Sequence, residues 1–242
     1  MINKNYTQAD HNFRDHDLYA QAKYQITLKW LEVNAQKGAV LVNVGCGAGY
    51  FNQQALQNGY KVIGYEPDRA AYLIAAQLTH QRLELVCGDL FSIPSTIQAD
   101  IVVMHDVLEH IDAEDAAINK VYELLNDDGI LVISVPALDQ LFGFHDEQLG
   151  HFRRYSKTSL RRSLRNRFEV RRIRYLGFFA LPGVYYFSRL RKRSYPSASM
   201  DESSGLRKIF GKMMTIERYF SLPLGTSVIV MARKVDKQTN LQ

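Results

Sequence analysis

A doubly wound α/β fold is what this sequence predicts, and three observations carry it. Short apolar runs alternate with helical patterns between residues 39 and 136. The runs are continuous rather than alternating, as strands are when helices cover both faces of a mostly parallel sheet. Glycines and acidic residues stand at their carboxyl ends, where such sheets bind ligands. The 242 residues suffice for one such domain with modest additions.

The elements follow in order. Residues 17–36 read as a helix, with Leu18, Ala22, Ile26, Trp30 and Leu31 near helical spacing and Gly38 beyond its end. Strands are expected at 39–44, 60–65, 83–87, 100–105 and 130–135, and helices at 50–57, 69–79 and 113–125. The strand ends fall at Gly45, Glu66, Gly88-Asp89, His105-Asp106 and Pro136. Past residue 150 the rhythm loosens. A helix is expected at 156–166 with Ser156 as its cap, and strands at 168–175 and 227–232. An apolar stretch at 176–187 and a polar segment at 194–205, expected to be a mobile loop, lie between those two strands.

Composition narrows the function classes. Hydrophobic residues make up 46% and charged residues 23%, which excludes a disordered or fibrous chain. The two cysteines, Cys46 and Cys87, form no CxxC pair, and no Cys/His cluster has zinc spacing, so neither a disulfide framework nor a metal is expected. Residues 1–10 are polar without an apolar signal core, and no run of about 20 apolar residues exists. The expected location is the cytoplasm. Charge is split: residues 1–150 carry a net −11 and residues 151–242 a net +16. The basic half is expected either to meet an anionic partner or to pair with the acidic half.

The strongest motif is Asn43-Val44-Gly45-Cys46-Gly47-Ala48-Gly49, a glycine-rich loop between a strand and a helix. Glycines let the backbone turn sharply and approach a ligand closely. The spacing is GxGxG, and Tyr50 stands at the third glycine of the dinucleotide pattern GxGxxG. Glu66 follows Gly45 by 21 residues, where a carboxylate can take both hydroxyls of a ribose. Gly88-Asp89-Leu90 ends the third strand, where a carboxylate can take an adenine amino group and Leu90 can flank the ring.

Together with His105-Asp106-Val107-Leu108-Glu109-His110 and Leu125-Asn126-Asp127-Asp128-Gly129-Ile130-Leu131, these motifs resemble the class I S-adenosylmethionine-dependent methyltransferases over residues 39–136. The resemblance implies a Rossmann-like, seven-stranded sheet whose last strand, at 227–232, runs antiparallel. It implies S-adenosylmethionine as cofactor, against Asn43, Gly45, Cys46, Gly47, Gly49, Glu66, Pro67, Gly88, Asp89, Leu90 and His105. Asn43 departs from the family, which usually has Asp or Glu there and so a charge for the cofactor's amino group. Cys46 has no base beside it in sequence and is not expected to be a nucleophile.

Beyond the fifth strand, Phe142-Gly143-Phe144-His145-Asp146-Glu147 and Gly150-His151-Phe152-Arg153-Arg154-Tyr155-Ser156 are similar to a subgroup that acts on lipids, glycans or small natural products. His145 and His151 are the candidate general bases, for an acceptor hydroxyl. Arg153 and Arg154 suit either an anionic substrate group or the acidic half of the chain.

The expectation is therefore one methyltransferase domain over 1–242, with a cofactor-binding core at 39–136 and an insertion at 176–225 that covers the cleft with the N-terminal helix. It moves a methyl group to a small-molecule, glycan or lipid-linked acceptor, with oxygen preferred. Two rivals are a non-catalytic module binding S-adenosylmethionine or RNA and, disfavoured by the GxGxG spacing, an NAD-dependent oxidoreductase. Nucleic acid is not favoured as a partner, because His105-Asp106-Val107-Leu108 stands where nucleic-acid amino methyltransferases carry Asn/Asp-Pro-Pro-Tyr/Phe. Residues 171–193, with basic flanks and an aromatic centre, suit a peripheral contact at the inner face of a membrane. They suit a substrate-pocket wall or a homodimer face as well.

Overall fold

The computed structural model describes residues 17–78, 83–191 and 205–235. It shows α1 (Leu18–Asn34), β1 (Val40–Val44), α2 (Tyr50–Gln57), β2 (Lys61–Glu66), α3 (Arg69–Leu78) and β3 (Glu84–Cys87). There follow β4 (Ala99–His105), α4 (Glu114–Leu124), β5 (Leu125–Pro136), α5 (Phe144–Leu149), α6 (Lys157–Leu164) and β6 (Phe168–Leu176). The chain closes with α7 (Leu181–Tyr185), a π turn (Tyr186–Leu190), α8 (Gly205–Tyr219) and β7 (Ser227–Lys234). The sheet has seven strands in the order β3-β2-β1-β4-β5-β7-β6. β1 to β5 pair in parallel, and β7 runs antiparallel to both β5 and β6, as the sequence implied.

The period of two along each strand sorts side chains into two cores. Leu41, Ile101, Val103, Ile130 and Val132 face one side, under α1 and Phe51 and Ala55 of α2. Val42, Val44, Val102, Met104, Leu131 and Ile133 face the other, under Ile118 and Val121 of α4 and Leu160 and Leu164 of α6. The apolar runs of the sequence are therefore the two-sided strands expected of a doubly wound sheet. The same period sends Asn43, His105 and Ser134 to the α1 side at the carboxyl ends of β1, β4 and β5. All three are buried there. Buried polar side chains among aliphatic ones mark where this sheet departs from pure packing.

α1 begins on Asp17, whose side chain accepts a hydrogen bond from the Tyr19 N–H at 2.9 Å. Thr27 and Leu31 have no exposed surface, so α1 is a layer of the fold and not a loose flap. Ser156 caps α6 as expected, accepting from the Ser159 N–H at 3.0 Å. β5 starts five residues before its predicted strand, at Leu125, which pairs with Ala99 of β4. Asp128 with φ 59° and Gly129 turn the chain before the regular pairing resumes at Ile130. The polar segment 194–205 lies outside the described residues except for Gly205, which opens α8. The polar N-terminal residues 1–10 lie outside them too.

The two halves of opposite charge do pair. Arg153–Asp112, Arg154–Asp146, Arg167–Asp115 and Arg233–Asp128 join them at 3.3, 2.8, 2.9 and 2.6 Å. Arg153 and Arg154 are thus committed to the acidic half.

Candidate active site

A cavity of about 120 Å³ opens at the carboxyl ends of β1 and β4. Its walls include Lys23 and Tyr24 of α1, Asn43, the loop Gly45 to Ala48, Phe51, His105 and Asp106. Gly45, Gly47 and Gly49 have φ of 65°, 57° and 84°, a region other residues enter only at a cost. At Gly45 the demand is double, since a Cβ would come within 2.5 Å of Val107 Cγ2. The cavity floor is polar. Asn43 Nδ2 donates to Asn52 Oδ1 at 2.6 Å, while Asn43 Oδ1 is buried without a partner among the described residues. A buried acceptor left unpaired costs on the order of 1–3 kcal/mol, so this oxygen is poised for a donor.

Three groups brace the cavity from α1 and β4. Lys23 Nζ donates to both carboxylate oxygens of Asp106, at 2.7 and 2.6 Å. Burial presses the Lys23 pKa down, but Asp106 and Tyr19 outweigh it and hold the ammonium above its ordinary value. Asp106 itself has φ 55°, which turns the chain out of β4. His105 lies edge-on to Tyr24 and Phe51, with its ring nitrogens 3.3 Å from Thr27 Oγ1 and 3.1 Å from Ser134 Oγ. Burial drives its pKa down to about 3, so the imidazole is neutral at physiological pH. Cys46 lines the cavity with a thiol that burial and Glu66 push up to about 12, which rules out a thiolate nucleophile.

The other expected cofactor residues lie along the adjoining rim. Glu66 accepts from the Gly47 N–H at 2.7 Å and the Asp68 N–H at 2.9 Å, which fixes its carboxylate beneath the glycine loop. Pro67 is exposed beside it. Gly88 joins the rim through its N–H to the Glu66 carbonyl at 3.1 Å. Asp89 is exposed and caps the short 3-10 turn Leu90–Ser92, accepting from the Ser92 N–H at 2.9 Å. Leu90 is buried in the core, so its side chain packs the sheet and is not presented to the cavity.

A second polar corner follows Asp106. Glu109, His110 and His151 offer ligand atoms within 4.8 Å of one another. The Phe152 N–H donates to the Glu109 carbonyl at 2.8 Å, and Arg153 donates to the Ile111 and Asp112 carbonyls at 2.9 and 2.8 Å. These bonds staple the turn after β4 to the segment before α6. His151 Nδ1 lies 2.9 Å from Asp146 Oδ1, which also accepts from Arg154 Nε at 2.8 Å. Burial would raise the Asp146 pKa, but the hydrogen bonds from His151 and Arg154 hold it below the ordinary carboxylate value. Glu109 is the reverse case: burial first, then the nearby Asp106 charge, raise it well above the ordinary value. His145 sits in the first turn of α5 and is not part of this cluster. Sequence reasoning thus found His151 but not the lysine that holds Asp106, 83 residues away in sequence.

A family model described as a methyltransferase domain matches residues 15–170. The chain belongs to that family. This methyltransferase is 29% identical over 100 residues to a ubiquinone biosynthesis O-methyltransferase of Rhodopseudomonas palustris, a match covering 40% of each chain. It is 29% identical over 117 residues to an uncharacterized methyltransferase of Alkaliphilus oremlandii, covering 46% of this chain and 53% of that one. The methyltransferase therefore spans about half or less of these relatives' own length. Among solved structures it resembles the N-methyltransferase NodS of Bradyrhizobium japonicum, bound to S-adenosyl-L-homocysteine, with TM-score 0.61 and 14% identity over 92% and 91% of the two chains. It also resembles phosphoethanolamine N-methyltransferase 2 of Haemonchus contortus, bound to S-adenosyl-L-methionine, with TM-score 0.65 and 14% identity over 96% and 58%. The fold is the class I, Rossmann-like methyltransferase fold, and those two solved relatives hold S-adenosylmethionine or its demethylated form as cofactor. The residues present fit that cofactor: Gly45, Gly47 and Gly49 leave the loop backbone bare at three positions, and the buried Asn43 Oδ1 can receive an ammonium.

Proposed function

We propose that this methyltransferase transfers a methyl group to an oxygen of a small-molecule, glycan or lipid-linked acceptor. The observation that carries the reading is the pair of adjoining sites, a cofactor cavity at β1 and β4 and a histidine–carboxylate corner three residues beyond Asp106. S-adenosylmethionine, when bound, supplies a methyl group already activated on a sulfonium. Glu66 takes the ribose hydroxyls, Asp89 the adenine amino group, and Asn43 Oδ1 the cofactor's amino group. Gly45, Cys46, Gly47 and Gly49 let the backbone lie close beneath it. Pro67, Gly88 and Leu90 shape the rim through their main chains, and His105 supports it from below. Lys23 holds Asp106 at the join of the two sites. The remaining task is to position the acceptor in line with the methyl carbon and remove one proton. The acceptor hydroxyl would give up that proton as it takes the methyl group. The corner of His151, His110 and Glu109 is where the hydroxyl would lose it, and His145 is not part of that corner.

Oxygen is supported by the O-methyltransferase among the sequence relatives. The fold does not choose the atom, since a structure described as the [4+2]-cyclase SpnF shares it with TM-score 0.59. The chain is read as one methyltransferase domain over 1–242, with its cofactor core at 39–136 and residues 176–225 covering the cleft. A peripheral membrane contact through 171–193 suits a lipid-linked acceptor. Incubating the enzyme and labelled S-adenosylmethionine with a metabolite extract, followed by mass spectrometry, tests the reading. The expected product carries one added methyl as an ether or ester. Label only on nitrogen would overturn the oxygen assignment.

A further inference from the structure

We propose that Glu109, His110 and His151 form a binding site for one divalent transition-metal ion beside the cofactor cavity. The three side chains bring ligand atoms within 4.8 Å of one another from two separate turns. Main-chain bonds fix those turns, with the Glu109 carbonyl accepting from the Phe152 N–H at 2.8 Å. Glu109 has no exposed surface, and among the described residues neither of its carboxylate oxygens has a hydrogen-bond partner. Carboxylates are buried only where something compensates them, and the usual compensation is a pairing or a cation. Here the nearest charged neighbours in the fold include Asp106 and Asp146, which add repulsion, and Lys23, which is already bonded to Asp106. A cation among Glu109 and the two imidazoles answers that deficit.

The surroundings of His151 support the same assignment. Its Nδ1 is engaged by Asp146, whose carboxylate is fully buried and fastened by Arg154 and by the Gly143 N–H at 3.0 Å. A carboxylate on one ring nitrogen fixes the tautomer and leaves Nε2 as the ligand atom, which is how ligating histidines are usually oriented. The donor set is two imidazoles and one carboxylate. That set suits zinc, manganese or iron better than magnesium or calcium, which prefer oxygen alone. Three protein ligands leave positions open. An acceptor hydroxyl bound there would lose its proton more readily, because a bound cation lowers the pKa of a coordinated oxygen. This role rests on the oxygen-methylation reading above, whereas the site itself does not.

The test uses the full chain, stripped with a chelator and titrated separately with zinc and with manganese. Stoichiometry is read by equilibrium dialysis with elemental analysis, and affinity by calorimetry. One ion per chain is expected, with binding at least tenfold weaker in Glu109→Gln and His151→Ala, and weakened in Asp146→Asn. Circular dichroism confirms that each variant is folded, and His110→Ala replaces any variant that is not. Binding of neither ion at one per chain, or equal affinity in the folded variants, overturns the site. Titration with S-adenosylmethionine alone separates the two ideas: metal without cofactor binding upholds the site and overturns the methyltransferase reading.

Discussion

His105 shows what one residue's position does to its chemistry. At the end of β4 it faces α1, where Tyr24 and Phe51 close over it and Thr27 and Ser134 offer hydrogen bonds. Lys23 opposes its protonation and Asp106 favours it, but burial dominates and the pKa falls from 6.5 to about 3. Between those values the unfolded chain binds a proton there that the folded chain does not. Stability must therefore fall as pH drops from 6.5 towards 3 and must be flat, for this group, above 6.5. Urea unfolding of the wild type and of His105→Gln across pH 4–8 checks this, and the variant should have the shallower slope below 6.5. The sequence placed His105 at a strand end beside a ligand cleft. It did not reveal that the ring is locked as a neutral brace, because Thr27 and Ser134 reach it from 78 and 29 residues away. The places of Glu66 and the glycine loop were legible for the opposite reason, since they follow from local turns and strand ends.

At the scale of elements, the parallel strands were readable because two covered faces write continuous apolar runs. The segment after β6 was not. Its order comes from single side chains that bind backbone, which leave no periodicity. Glu217 of α8 is buried and accepts the N–H groups of Gly177, Phe178 and Phe179 at 2.6, 3.1 and 3.1 Å. Arg174 of β6 answers from below, donating to the carbonyls of Glu217, Arg218 and Phe220 at the end of α8. The two side chains tie the insertion to the sheet edge. Glu217→Gln keeps the shape but removes the charge and one acceptor. It should cost about 1–3 kcal/mol, as loss of a charge-assisted bond does. Hydrogen exchange should show faster exchange over 177–190 with β1 to β5 unchanged, and uniform exchange across both regions would contradict this role.

At the scale of the molecule, the charge split resolves into internal pairing plus an exposed basic surface. Arg153, Arg154, Arg167 and Arg233 face the acidic half and Arg171 pairs with Glu169 on its own strand at 2.8 Å, while residues 161 and 162 on α6, 165 just beyond it and 172 on β6 remain exposed. No helix of the described residues is long and apolar enough to cross a membrane. The 171–193 segment is described as far as Arg191. It buries Tyr175 and Leu176 in the core but exposes Tyr185, Tyr186 and Leu190, and Tyr219 and Phe220 at the end of α8 are exposed too. Aromatics with Arg189 and Arg191 among them suit an interfacial contact, each cation adding up to ~1 kcal/mol at an anionic leaflet. Co-sedimentation is expected with anionic vesicles and not with neutral ones, and salt should reverse it. Failure to bind either kind would leave those aromatics as a pocket wall or dimer face.

The central claim is that the cavity at β1 and β4 holds S-adenosylmethionine with Glu66 on the ribose. Isothermal titration of the wild type and of Glu66→Ala with S-adenosylmethionine tests it most directly. The wild type should bind one molecule per chain, and the variant should bind at least tenfold more weakly, as loss of a charged hydrogen-bond acceptor implies. Equal affinity in the two, or no binding to the folded wild type, would contradict the account.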